Sequence, residues 1–190
     1  ILSASVSAGS GLVNLWLIPR NFTLTSYEAV WQYADIWTGY ANSLFYMVAG
    51  TAIAMFVTIC CAYPLSVPDF KARNVLMVLC IITMYFGGGL IPTYLVVRDL
   101  GMLNTVWSVL LPGAMSVYNV IVMRTFFASQ IPKELRESAS LDGCGNIRYL
   151  VSIVLPLSGA ILAVISLYYA VGIWNSYFDA MIYLKKREMY

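Results

Sequence analysis

The chain contains no histidine, and only 11% of its 190 residues are charged. The first absence removes Ser-His-Asp and Cys-His nucleophilic arrangements and every histidine-containing metal site. The second removes a soluble surface. A soluble domain carries about 25% charged residues, whereas here 61% of residues are hydrophobic and the mean hydropathy is +0.78. The few charges gather in short islands, the pattern of an all-α integral membrane protein. A net charge of +2, scattered as it is, gives no footprint for nucleic acid. The four cysteines, Cys60, Cys61, Cys80 and Cys144, show no CxxC spacing. Three sit in apolar runs, where cysteine acts as a small hydrophobe, so neither a disulfide framework nor a zinc site is expected. A G-x-x-x-x-G-K-[ST] phosphate loop is missing too. Gly143-Cys144-Gly145 lacks the third glycine and the preceding strand that dinucleotide binding requires.

What is present is apolar sequence in long blocks. Four charge-free runs, Ile36–Pro68, Asn74–Val97, Leu100–Met123 and Tyr149–Phe178, each exceed the roughly 20 residues needed to cross a bilayer as a helix. Continuous runs exclude the alternation of a barrel, and only helices or closed barrels satisfy their backbone in lipid. The expectation is a multi-span helical bundle with four full spans. Ahead of them, residues 1–40 read as the end of a preceding helix plus an external loop. Ile1–Pro19 is uncharged but rich in Ser and Gly, Trp16 and the Tyr27–Tyr40 segment suit headgroup level, and Thr25 or Ser26 is a candidate helix cap. With no initiator Met and no boundary at Tyr190, a chain truncated at both ends is expected.

Lysine and arginine in short loops set orientation. If the Asp69–Arg73 loop is cytoplasmic, so is the one from Arg124 to Arg148, and that side holds Lys71, Arg73, Arg124, Lys133, Arg136 and Arg148. The other side holds Arg20 and Arg98, with Lys185, Lys186 and Arg187 in a C-terminal cluster that the orientation adopted here discounts.

Two irregularities mark the runs. Gly87-Gly88-Gly89 followed by Pro92 must weaken a helix. It is either a flexible wall of a translocation path or a kink packed on a neighbour. Trp174-Asn175-Ser176-Tyr177-Phe178-Asp179 at the end of the last run, with Trp174, Asn175 and Tyr177 foremost, suits either sugar contacts or an interfacial aromatic belt. Asn119 and Tyr118, polar in mid-run, are expected to face the bundle interior.

The one strongly charged, helix-forming segment between apolar runs is Glu134–Pro156, in a loop spanning residues 130–156. Pro132 precedes it, and Asp142-Gly143 carries the chemistry of a helix C-terminus. Glu137-Ser138-Ala139, three residues, Gly143, nine residues, then Ile153-Val154-Leu155-Pro156 resembles the EAA loop of ABC-importer permeases. Ser138 replaces the usual Ala, a small-for-small change. Asn42-Ser43-Leu44, Ala62-Tyr63-Pro64-Leu65-Ser66, the Gly-Gly-Gly-Leu-Ile-Pro run and Trp174–Phe178 extend the likeness over nearly the whole chain. They resemble the carbohydrate-uptake branch, with its MetI-like transmembrane domain and maltose-type permeases for complex oligosaccharides.

That resemblance implies six spans in a complete chain, with residues 41–190 forming most of the permease domain. It implies a cytoplasmic coupling helix docking on a separate ATPase through Lys133, Glu134, Arg136 and Glu137, with Ala139 allowing close approach and Gly143 ending the helix. It also implies two ATPase subunits holding ATP-Mg, no cofactor on this chain, a second and different permease, and an extracytoplasmic solute-binding protein at a bacterial cytoplasmic membrane. The spans lack the buried charges of a proton- or sodium-coupled carrier, which independently favours an outside energy source. Two other readings stand beside the sugar permease. One is the same machine carrying an amino acid, polyamine or phosphate. The other is a membrane enzyme, which would need intramembrane acid–base groups or metal ligands that the runs lack.

Overall fold

The computed structural model describes residues 23–186. The expectations for Ile1–Pro19, Trp16, Arg20 and Arg187 lie outside them. Among the described residues the chain is helical without strand: α1 (Thr25–Gln32), α2 (Ala34–Ser66), α3 (Arg73–Tyr85), α4 (Leu90–Asp99), α5 (Trp107–Leu110), α6 (Val117–Gln130), α7 (Lys133–Leu141), α8 (Asn146–Leu157), α9 (Gly159–Trp174) and α10 (Tyr177–Tyr183). By internal contacts the chain divides between Asn42 and Ser43, inside α2.

In the first unit, α1 opens without its expected cap. Leu24 takes the cap position, and the Thr23 hydroxyl accepts the Thr25 N–H at 3.3 Å. Trp31 and Trp37 meet edge to face with ring centroids 4.6 Å apart, and the Trp37 indole donates to the Trp31 carbonyl.

The second unit is organised on α2, whose 33 residues form one continuous helix. Its buried stripe, Gly50, Ala54, Thr58 and Ala62, repeats small residues every four positions. In lipid no hydrophobic force draws helices together, so close backbone approach and dispersion must do so, and small residues permit that. Gly50 shows the tightness: a Cβ there would sit 2.8 Å from Ile173 Cδ1 and 3.2 Å from Leu110 Cδ2. Around the stripe pack Val120, Met123 and Phe127 of α6, Tyr149 and Val154 of α8, and Ile161, Ile165 and Tyr169 of α9. The opposite surfaces carry exposed Phe45, Val48 and Phe56 on α2 and Val75, Val78 and Leu79 on α3. Apolar side chains facing outward on helices of this length belong in lipid or against other membrane helices.

Of the four runs expected to be full spans, only Ile36–Pro68 becomes one helix long and apolar enough to cross a membrane. Asn74–Val97 is broken after Tyr85, and α3 and α4 diverge by 114° across Phe86–Gly89. Gly89, at φ +83°, takes a conformation that side-chain-bearing residues avoid. Tyr149–Phe178 is bent by 84° at Ser158, between α8 and α9. Pro156 explains the strain: it lacks an N–H and its ring presses on the carbonyl four residues earlier. Residues Leu150–Val154 answer with a wider π-helical turn. Counting each bent pair as one span gives up to three by length and composition. Leu100–Met123 is not a span at all. Gly101 and Asn104 adopt positive φ, α5 lasts four residues, and the chain turns again through Pro112-Gly113 before α6.

Arg124, expected in a loop, lies inside α6. Its Nε donates to the Leu65 carbonyl at 3.0 Å, satisfying one of the acceptors left open at the C-terminus of α2. The C-terminal segment is held by Asn104: its N–H donates to the Tyr183 carbonyl, and its Oδ1 accepts from the Lys185 N–H at 2.7 Å. Tyr94 stacks on Tyr183 alongside.

Candidate functional sites: a capped surface helix and a lined cavity

α7 is the first site. Pro132 stands at its N-cap and Glu134 lies in its first turn, where a carboxylate favours the helix dipole. At its C-terminus Asp142 is the cap residue and Gly143 has φ +71°. The Cys144 N–H bonds the Ala139 carbonyl at 2.8 Å and the Gly143 N–H bonds the Ser140 carbonyl at 3.1 Å. This 6→1 and 5→2 pair is a Schellman motif, which requires a left-handed residue where glycine stands. Of the nine residues of α7, Ala139 is the buried one, packed in the core with Tyr63, Phe127 and Tyr149. Glu134, Glu137 and Ser138 are exposed, so no packing within the chain limits the size of Ser138. Leu141 is 90% exposed and Ile147, just past the turn, 80%.

α7 is tied to the end of α2. An Arg136 guanidinium nitrogen lies 3.5 Å from the Asp69 carboxylate, and the Tyr63 hydroxyl donates to the Asn146 carbonyl at 3.3 Å. A groove of about 560 Å³ runs here, lined by Asp69, Lys133, Arg136, Glu137 and Tyr149 among others. Downstream, Ile153 lies in the π-helical turn, Leu155 in the short helical turn after it, and exposed Pro156 just before the bend.

The second site is a cavity of about 330 Å³. α2 contributes Gly50, α5 Leu110, the turn before α6 Gly113 and Ser116, α6 Asn119, and α9 Tyr168, Tyr169 and Gly172; Ser176 and Asp179 close it from the following segment. The Tyr169 hydroxyl accepts the Ser116 N–H at 3.0 Å and shares a proton with buried Thr58 across 2.7 Å, fastening α2, α9 and the turn before α6 together. Asn119 is 6% exposed, in the interior as its sequence position suggests. Tyr118 is 58% exposed and points away, against expectation.

The remaining sequence candidates lie elsewhere. Gly87, Gly88 and Gly89 form an exposed break, and exposed Pro92 sits in the first turn of α4. Trp174 and Tyr177 are 45% and 76% exposed, and Asn175 caps α9, its Nδ2 donating to the Val171 carbonyl at 2.7 Å. None of the seven lines the cavity. Sequence reading passed over Gly50 and Tyr169, while Ser176 and Asp179, within the Trp174–Asp179 stretch it marked, do line the cavity. The four-residue spacing of small residues in α2 and the hydroxyl-bearing ends of the last run were the signals available.

A long apolar helix, bent helical pairs with outward apolar faces, and a polar surface helix held at one end define a helical membrane protein. Comparison with known proteins gives the particular family. No family model matches the chain. It is 44% identical over 171 residues to Protein LplC of Bacillus subtilis (strain 168), covering 90% of this chain and 58% of that protein. It is also 44% identical over 168 residues to the polygalacturonan/rhamnogalacturonan transport system permease protein YtcP of the same organism, covering 88% and 58%. Among solved structures, one of a bacterial ABC transporter involved in import of the acidic polysaccharide alginate superposes with a TM-score of 0.92. It is 33% identical, covering 99% of this chain and 68% of that one. The chain belongs to the permease subunits of ABC transporters, and it spans a little under three-fifths of the length of the curated relatives it matches.

Proposed function

We propose that the chain is the greater part of a multi-pass permease subunit that imports a sugar or oligosaccharide across a bacterial cytoplasmic membrane. Two separate ATPase subunits bind ATP-Mg and hydrolyse it, a second and different permease completes the pathway, and an extracytoplasmic binding protein delivers the solute. In this reading residues 1–40 end a preceding helix and form an external loop, and residues 41–190 belong to the transmembrane domain. Within that domain the 130–156 loop carries α7 as the helix that docks on the ATPase.

The observation that carries the reading is the build of α7. One small residue, Ala139, anchors it from beneath, a Schellman turn fixes where it stops, and its acidic groups together with Leu141 stay free to meet another protein. Leu141 and Ile147 add apolar contact area to the exposed charged face. The named substrates of YtcP and of the alginate transporter support a saccharide over an amino acid, polyamine or phosphate. Gly143→Val tests the coupling role in membrane vesicles holding all subunits. The expected result is normal insertion and assembly with uptake abolished, because a β-branched residue cannot hold the left-handed turn. Normal uptake by that variant would remove α7 from the coupling path.

A further inference from the structure

The cavity between α2, α6 and α9 has a chemistry that narrows the substrate. Its polar lining is Ser116, Asn119, Ser176, Asp179 and the phenols of Tyr168 and Tyr169, and Asp179 is the sole carboxylate-bearing side chain among its described lining residues. No lysine or arginine is among its described lining residues. Tyr169 is engaged by Ser116 and Thr58, which leaves Asn119 as the buried group with unspent capacity. Its amide offers both a donor and an acceptor and has no hydrogen-bond partner among the described residues. A Cβ added at Gly113 or Gly172 would meet no atom within 4 Å, so the space beside these lining glycines is open. At about 330 Å³ the cavity falls in the range of small-molecule sites.

Resting on the proposed sugar-import function, we infer that this cavity holds an uncharged saccharide unit and rejects uronates. Neighbouring hydroxyls on a pyranose match an amide that both donates and accepts, and they donate to a carboxylate. Tyr168, half-exposed at the cavity wall, offers a flat apolar face to the ring. A uronate brings a second negative charge towards Asp179 and finds no guanidinium or ammonium to pair with, which carboxylate recognition calls for. The chain thus departs from the acidic polymers named for YtcP and for the alginate transporter.

The test uses the complete transporter, purified in detergent without binding protein or nucleotide. Ser176→Cys in a cysteine-free background is labelled with a methanethiosulfonate reagent. Gluco-, galacto- and manno-configured neutral trisaccharides are compared with their uronic acid counterparts. At least one neutral sugar is expected to slow labelling more than tenfold at a concentration where its uronate leaves the rate unchanged. Equal or better protection by the uronates, or protection by none of the sugars, overturns the inference. A second arm keeps the native cysteines and measures ATP-driven uptake into proteoliposomes. There Asp179→Arg is expected to raise the ratio of uronate to neutral uptake about tenfold over the unsubstituted protein, and an unchanged ratio counts against the inference. Absence of any saccharide uptake by the unsubstituted transporter overturns the proposed function instead; labelling, which needs no ATP, still decides the cavity's preference.

Discussion

The α7 end and the cavity are two polar regions of one apolar molecule, built on opposite plans. At α7 the polar groups are sequential neighbours on a nine-residue helix whose bounds are set locally, by a proline before and a left-handed glycine after, with Ala139 as its one buried anchor. At the cavity the polar groups come from residues as distant as Gly50 and Asp179, and what fixes them is tertiary. A region held locally tolerates change in its surroundings but not at its stop signal. A region held by packing fails wherever two helices touch.

The largest effect expected inside the bundle is at Gly50. Gly50→Leu drives a branched side chain into Ile173 and Leu110, both on separate elements. Overpacking of this kind costs about 1–3 kcal/mol, and the drop in Tm of the purified transporter measures it. Retained stability would mean that the Ile173 and Leu110 side chains can swing clear of Gly50.

Next comes the hydrogen-bonded junction. Tyr169→Phe leaves the Ser116 N–H and the Thr58 hydroxyl without their partner, for a loss of about 1–3 kcal/mol. Adding Thr58→Val removes one of the two orphans, so the double variant should recover part of the lost Tm. No recovery would show that the two hydroxyls are not coupled.

The smallest effect is at the other end. Asp69→Asn breaks the ion pair with Arg136, but the Asp69 side chain is 84% exposed, and pairs so open to water contribute about 0–1 kcal/mol. Tm should hardly move. A large loss there would make the α7 region as dependent on tertiary contact as the cavity and erase the contrast.

Legibility in the sequence follows the same division. The membrane class, the long helix on α2 and the stop at Asp142-Gly143 are local signals, and each was readable. Hydropathy alone misjudged Leu100–Met123, since the chain there is apolar enough to cross but is turned by Gly101, Asn104 and Pro112-Gly113. Those breakers were in view, and weighing them against run length would have found the interruption. The bend at Ser158 was half readable, because Pro156 announces a disturbance without saying how far the helix will turn. The cavity was the least accessible. Asn119 was picked out for its polarity in mid-run, and Ser176 and Asp179 lie in the marked Trp174–Asp179 stretch, but their meeting with Gly50 of α2 is tertiary and no local pattern encodes it. Trp174 and Tyr177 drew notice as aromatics and lie outside its lining.

α2 touches both regions. Its Leu65 carbonyl is gripped by Arg124 and its Tyr63 reaches Asn146 near α7, while Gly50 forms part of the cavity wall. Between Thr51 and Tyr63 it contains neither glycine nor proline, and Pro64, where a helix is most easily kinked, stands beside the α7 contacts. Fifteen residues of α-helix from Gly50 to Leu65 measure about 22 Å. One continuous helix thus carries its middle turns into the cavity wall and its C-terminal turn to the foot of α7, so the two polar regions share a single backbone element.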